Sequence, residues 1–155
     1  MSLVKSLVRR GKFSKWFDRR AAHTTNELYK QGFALPVTRR VVQHMCVSHV
    51  FWIEQDDQTV AATMLTRLEE REPVYRVLGL TVDSNFRRQG YGTALLATID
   101  KFVGAGSTVY LCVDKDRGST DWLVAWYTRV GFSLAYDDPR LSYGGHEIPL
   151  VKLVK

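Results

Sequence analysis

Apolar and polar positions along this chain follow two periods, and each switch between them marks an element. Phe13, Trp16 and Phe17 recur at i, i+3 and i+4 within residues 12–31, a helical spacing. That helix is expected to break near His23, because Thr24-x-x-Glu27 reads as a capping box for a second short helix stopped by Gly32. Val37, Val41 and Met45 predict another helix over 36–47, entered through Pro36. Val50 to Glu54 and Thr59 to Leu68 read as the two strands of a hairpin around Asp56-Asp57. The acidic turn Glu69 to Pro73 leads into a third strand, Val74 to Val82. From Gly92 onward, Leu95, Leu96, Ile99, Phe102 and Val103 predict the inward face of an amphipathic helix, which Gly104 and Gly106 stop. A strand over 107–113 follows, and then a helix near 120–130 with Trp122, Leu123, Trp126 and Val130 on one face. Strands 132–136 and 146–153 complete the chain, and residues 2–8 offer a first strand interrupted by polar positions. This order predicts an α+β fold, one domain with a mixed sheet between helices.

The chemistry gathers where the third strand runs into the helix that follows it. Leu78, Leu80 and Val82 belong to the strand, and a loop of Arg87, Arg88, Gln89, Gly90, Tyr91 and Gly92 opens directly onto the helix. A helix start leaves backbone N–H groups unpaired and carries partial positive charge, which suits a phosphate. Gly90 and Gly92 are expected to let the backbone approach a bulky ligand, and Arg87 and Arg88 add full charges. A P-loop would need Lys-Ser/Thr after its last glycine, where this chain has Thr93-Ala94. The dinucleotide fingerprint would need Gly or Ala where Leu95 stands. A diphosphate clamp of another kind is the remaining reading.

Arg87-x-x-Gly90-x-Gly92, set between a Leu-x-Leu-x-Val strand and a helix, resembles the acetyl-CoA loop of the GNAT superfamily of N-acyltransferases. Further on, Tyr127-x-x-x-Gly131-Phe132 is similar to the helix-to-strand joint that follows that loop in the superfamily. Together the two motifs span residues 74–135, the half that would bind acetyl-CoA, and the first third of the chain carries no matching motif. The resemblance implies a mixed, mostly antiparallel sheet and direct transfer of acetyl from acetyl-CoA, as co-substrate, to a primary amine. It implies that backbone at Leu80, Thr81 and Val82 binds the pantetheine arm and polarises the thioester. The amides of Arg88, Gln89, Gly90, Tyr91, Gly92 and Thr93 would grip the diphosphate, reinforced by Arg87 and Arg88. Tyr127 would be the general acid toward the CoA sulfur. Two departures stand out. Arg76 occupies the strand position where some members carry a catalytic Glu, and Ser119-Thr120-Asp121 replaces a common Asn. Glu54, Glu72, Asp114, His44 and His146 are the groups left to act as base through water.

At 155 residues, with 45% apolar and 25% charged side chains, the chain suits one soluble globular domain. It shows no apolar stretch near the roughly 18 residues a membrane span needs and no signal-like apolar N-terminus, so membrane attachment is not expected and the cytoplasm is. Cys46 and Cys112 lie in apolar segments and read as reduced packing thiols. The scattered histidines and cysteines lack metal-ligand spacing. The net charge of +6 sits at one end: residues 1–20 hold Lys5, Arg9, Arg10, Lys12, Lys15, Arg19 and Arg20 against Asp18 alone. Residues 1–32 therefore read as a basic, helical N-terminal segment, either a solvated face or a site for an anionic partner. Three functions are compatible with these features: acetylation of an amine on a small molecule, peptide or protein; acylation of a nucleic-acid-linked amine such as a charged tRNA; and a non-catalytic CoA-binding or interaction module. The acceptor site would be shaped by the first helices and by Tyr136 to His146, and the acceptor and oligomeric state carry no readable signal.

Overall fold

The computed structural model describes residues 3–10, 14–29, 38–115 and 120–155. The elements run β1 (Lys5–Val8), α1 (Lys15–Tyr29), α2 (Arg39–His44), β2 (Val47–Gln55), β3 (Gln58–Arg67), β4 (Val74–Val82), a single 3-10 turn (Ser84–Phe86), α3 (Tyr91–Val103), β5 (Thr108–Asp114), α4 (Asp121–Arg129), β6 (Ser133–Leu134) and β7 (Glu147–Leu153). The strands form one seven-stranded sheet in the order β1-β2-β3-β4-β5-β7-β6. Every neighbouring pair is antiparallel except β4 with β5. The predicted α+β architecture is the one observed.

Alternation along β2 shows how the sheet divides its core. Phe51 and Ile53 join a cluster with Leu95, Leu96 and Ile99 of α3 and Tyr127 of α4. Val50 and Trp52 join a second cluster with Phe17, Ala21, Ala22 and Leu28 of α1 and Val42 of α2. The strand period of two therefore feeds two helical layers, one on each face. β3 is buried from Val60 to Thr66, as a strand covered on both faces must be. A third, smaller cluster of Val74, Tyr110, Ala135 and Leu141 lies under the segment before β7. Tyr110 donates its phenolic hydrogen to Asp138 there.

Several sequence expectations need correction. The N-terminal segment is not wholly helical, since β1 precedes α1 and pairs antiparallel with β2. α1 runs through His23 without a break: Thr25 Oγ1 donates to the Ala21 carbonyl at 2.8 Å and Thr24 is buried, so no capping box forms. Phe17 is buried but Trp16 is 65% exposed, and Phe13 and Gly32 lie outside the described residues. α2 is shorter than expected and starts at Thr38, whose side chain accepts from Val41 N–H. Val42 is the buried residue there, while Val41 and Met45 are exposed, so the expected face is displaced by one position. Pro36 and Val37 lie outside the described residues. In α4, Trp122 points to solvent and Tyr127 is the buried side chain. Phe102 is also exposed on one side, though its ring packs on His49 at 4.1 Å. Both cysteines are free, but Cys46 is exposed rather than packed.

Candidate active site

The site begins where two strands part. β4 and β5 pair only from Val74 to Arg76 against Thr108 to Tyr110. Beyond Arg76 they share no register, whereas β5 stays paired with β7 from Thr108 to Asp114. The parallel β4–β5 ladder thus stops at Arg76 while β4 runs on to Val82, and a fork opens between the strands. A bulge on β4 aims it. Ala62 faces Thr81 and Met64 faces Leu78, so Gly79 and Leu80 together oppose Thr63. Gly79 takes φ +59°, a left-handed conformation suited to a bulge. Because of the extra residue, Leu80 and Val82 join the same helix-side cluster as Val77, while Leu78 faces the opposite layer. Gly79 escaped the sequence reading, although an isolated glycine inside a strand pattern signals a bulge.

The strand leads into a loop that its own side chains hold in shape. Asp83 is buried, and its Oδ1 accepts from Asn85 N–H at 2.9 Å. Its backbone N–H donates to the Val60 carbonyl at 2.7 Å. Arg88 at φ +67° and Gly90 at φ +80° both adopt left-handed backbone, which is costly for arginine. Gly90 caps α3 without any side-chain hydrogen bond, and the first intrahelical donor is Ala94 N–H, which reaches the Gly90 carbonyl at 2.9 Å. The amides of Tyr91, Gly92 and Thr93 thus start the helix without intrahelical acceptors, and Arg87, Arg88 and Gln89 beside them are exposed. That arrangement fits an anion.

The two glycines do different work. A Cβ at Gly90 would meet nothing within 4 Å, so glycine is needed there for its backbone angle. At Gly92 a Cβ would stand 3.2 Å from Trp126 Cη2, so glycine there lets α3 pack directly on α4. The missing side chain at Gly92 thus also makes room for Trp126. Tyr91 likewise turns its phenol away to accept from Gln55 Nε2 at 2.9 Å, leaving only its amide at the helix start.

Trp126 carries the geometry on to Tyr127, whose ring lies 4.9 Å from it and 5.6 Å from Phe132. Tyr127 is buried in the cluster that holds Leu80, Val82, Leu111 and Val113, the side chains flanking the fork. Burial pushes its phenol above the usual tyrosine range, so the proton is retained at neutral pH. Thr120 sits at the N-cap of α4 but makes no side-chain cap, and Ser119 lies outside the described residues. Asp121 still supplies the negative charge that suits a first turn.

On the opposite face, at the mouth of the fork, a polar group gathers around Arg76. Its Nη2 meets Glu147 Oε2 at 3.4 Å and its Nη1 reaches the Ser142 carbonyl at 3.4 Å, while its Nε is buried without a partner. Asp114 and Glu147 are register partners at the end of β5 and the start of β7, which sets two carboxylates side by side. Cys112 lies in the same group, and burial pushes its thiol up to about 11, so it stays protonated and poorly nucleophilic. The other candidate bases are scattered. Glu54 is held by Lys5 at 2.8 Å and by Trp52 at 2.9 Å, Glu72 lies exposed in the turn before β4, and His44 and His146 are exposed. Glu147 was not among the expected bases; only the fold brings it beside Arg76. No group of three potential metal ligands exists among the described residues.

Residues 15–132, which hold the fork, the bulge and the glycine-capped helix, match the acetyltransferase (GNAT) family. This chain belongs to the GNAT family. It is an acyltransferase with the single-domain α+β fold of that family. Solved GNAT structures superimpose over nearly the whole length. The ribosomal-protein-S18-alanine N-acetyltransferase from Escherichia coli aligns at TM-score 0.68 and 16% identity, covering 98% of this chain and 94% of its own. A GNAT acetyltransferase from Staphylococcus aureus aligns at 0.68 and 12%, covering 98% and 99%. The PaiA N-acetyltransferase from Thermoplasma acidophilum, solved with coenzyme A, aligns at 0.58 and 11%, covering 97% and 98%. No curated protein sequence matches the chain. At such identities the likeness carries the fold, and the side chains must carry the rest.

Proposed function

We propose that this GNAT protein moves an acetyl group from acetyl-CoA directly to a primary amine of a small molecule, peptide or protein. One observation carries the reading: the β4–β5 fork runs without interruption through the bulge and the Asp83 loop into the unpaired amides of α3. Backbone at Leu80, Thr81 and Val82 would hold the extended pantetheine as a strand holds a neighbour and would donate to the thioester oxygen. The amides of Gly90, Tyr91, Gly92 and Thr93 would take the diphosphate, with Arg87, Arg88 and Gln89 around it. The amine forms its C–N bond as the C–S bond breaks. Tyr127 gives its proton to the departing thiolate, and its buried, protonated phenol is suited to that role. The ammonium proton passes to the Asp114–Glu147 carboxylates, directly or through water, with Arg76 orienting Glu147. The free cysteines suit a reducing compartment, and the cytoplasm is the proposed location.

The first test is binding. Acetyl-CoA at 100 times its dissociation constant should stabilise the protein by about 2.7 kcal/mol. The second is transfer of labelled acetyl to a panel of amines, with Tyr127→Phe as comparison. Absence of any thermal shift at saturating acetyl-CoA removes the reading, and so does equal turnover by Tyr127→Phe at saturating substrates.

A further inference from the structure

The seven cations of residues 1–20 do not form one undifferentiated patch. Arg9 is spent inside the fold: it pairs with buried Asp18, donates to the Val47 carbonyl at 2.6 Å, and lies over the Phe17 ring at 4.6 Å. Lys5 holds Glu54 at 2.8 Å. Lys15, Trp16, Arg19, Arg20 and His23 are exposed at helical spacing and form one stripe along α1. α2, which packs beside α1, exposes Arg39, Arg40 and His44. Of the acidic residues on these helices whose side chains are described, Asp18 is buried against Arg9, and α2 (Arg39–His44) carries none. Glu54, which feels Arg20, is already tied to Lys5 and Trp52. Trp16, 65% exposed in the first turn of α1, shares the stripe with Lys15, Arg19 and Arg20.

We infer that this face of α1 and α2 is a docking surface for a single-stranded polynucleotide. Five permanent cations (Lys15, Arg19, Arg20, Arg39 and Arg40) supply the electrostatic footprint of phosphate binding. Trp16 offers an open ring on which an unpaired base can stack among those charges, the pairing of features that single strands select. An anionic membrane fits less well. The apolar side of α1 (Phe17, Ala21, Ala22 and Leu28) is committed to the core, so the helix has no greasy face to bury in lipid. The inference goes beyond acetyl transfer and does not rest on it.

The test uses the full chain and end-labelled 20-nucleotide single strands of mixed sequence, one RNA and one DNA, titrated at several salt concentrations. With five phosphates neutralised, affinity should fall roughly 100-fold between 50 and 200 mM salt. The double variant Arg19→Gln, Arg39→Gln should flatten the log–log slope by about 1.4. Trp16→Ala should weaken binding by roughly 5- to 150-fold at fixed salt with the slope unchanged, and Trp16→Phe should keep most of it. All these positions are exposed, and a thermal midpoint equal to that of the parent protein checks that each variant is folded. An unchanged slope in the double variant overturns the inference. So does full binding by Trp16→Ala, or a preference for vesicles of anionic lipid over both strands.

Discussion

The two faces of the sheet are built by different means. On the α3–α4 face the candidate site is made of backbone: a fork, a bulge at Gly79, a left-handed turn at Arg88 and Gly90, and amides at a helix start. On the α1–α2 face the outward surface is made of side chains, with fixed cations and an open tryptophan over a closed apolar layer. Backbone geometry demands particular residues at particular spacings, whereas a charged surface demands only a sign. That difference explains why one face can be recognised in a distant relative and the other must be read from this chain alone.

Substitutions sharpen the contrast, and the largest effect should come from Tyr127. Tyr127→Phe keeps the ring packed between Trp126 and Phe132. It should lower kcat by ~10²- to 10⁴-fold while leaving acetyl-CoA affinity and thermal midpoint close to the parent values, as steady-state kinetics and calorimetry would report. Next is Gly92→Leu, which forces a side chain against Trp126 from 3.2 Å. It should destabilise the fold by about 1–3 kcal/mol in denaturant titration and loosen Tyr127 with it. Gly90→Ala meets no neighbour, so only the left-handed angle counts, and about 1–2 kcal/mol should be lost. Arg88→Gly should reverse that sign by relieving φ +67°, gaining stability while weakening CoA affinity. Trp126→Ala should relieve the loss in Gly92→Leu and leave that in Gly90→Ala unchanged, and equal relief of both would erase the distinction between conformation and packing.

The smallest effect is a slope in pH. Burial holds the His49 imidazole down at about 4, against an ordinary value of 6.5. The unfolded chain therefore binds more protons than the folded one between those values. The contribution is present above pH 6.5 and is lost as pH falls toward 4. Thermal midpoints measured across that window should decline for the parent protein and decline less for His49→Phe. An identical decline would mean that His49 is not the group responsible.

Much of the α3–α4 half could be read in advance. β4 occurs over the expected residues, α3 begins within one residue of the expected start, and α4 over nearly the expected span, because strong apolar periods and glycine stops coincide there. What escaped notice was register. The parity change at Gly79 and the pairing of Asp114 with Glu147 are products of strand alignment between segments far apart in sequence. The same cause hid Glu147 as a carboxylate near the fork. Errors in the first third arose differently. Thr24-x-x-Glu27 has the form of a cap, yet the burial of Phe17, Ala21 and Leu28 along one face favours a continuous helix. Tertiary burial outweighed a local signal there, as it did for α2, where Val42 rather than Val41 faces the core.

The first turn of α3 is where acetyl-CoA binding is decided. Amide resonances of the ¹⁵N-labelled protein, followed while coenzyme A is added, test it directly. Shifts centred on Gly90, Tyr91, Gly92 and Thr93, with α1 and α2 unmoved, are the predicted result. A titration that leaves those four amides in place while other regions respond would contradict it.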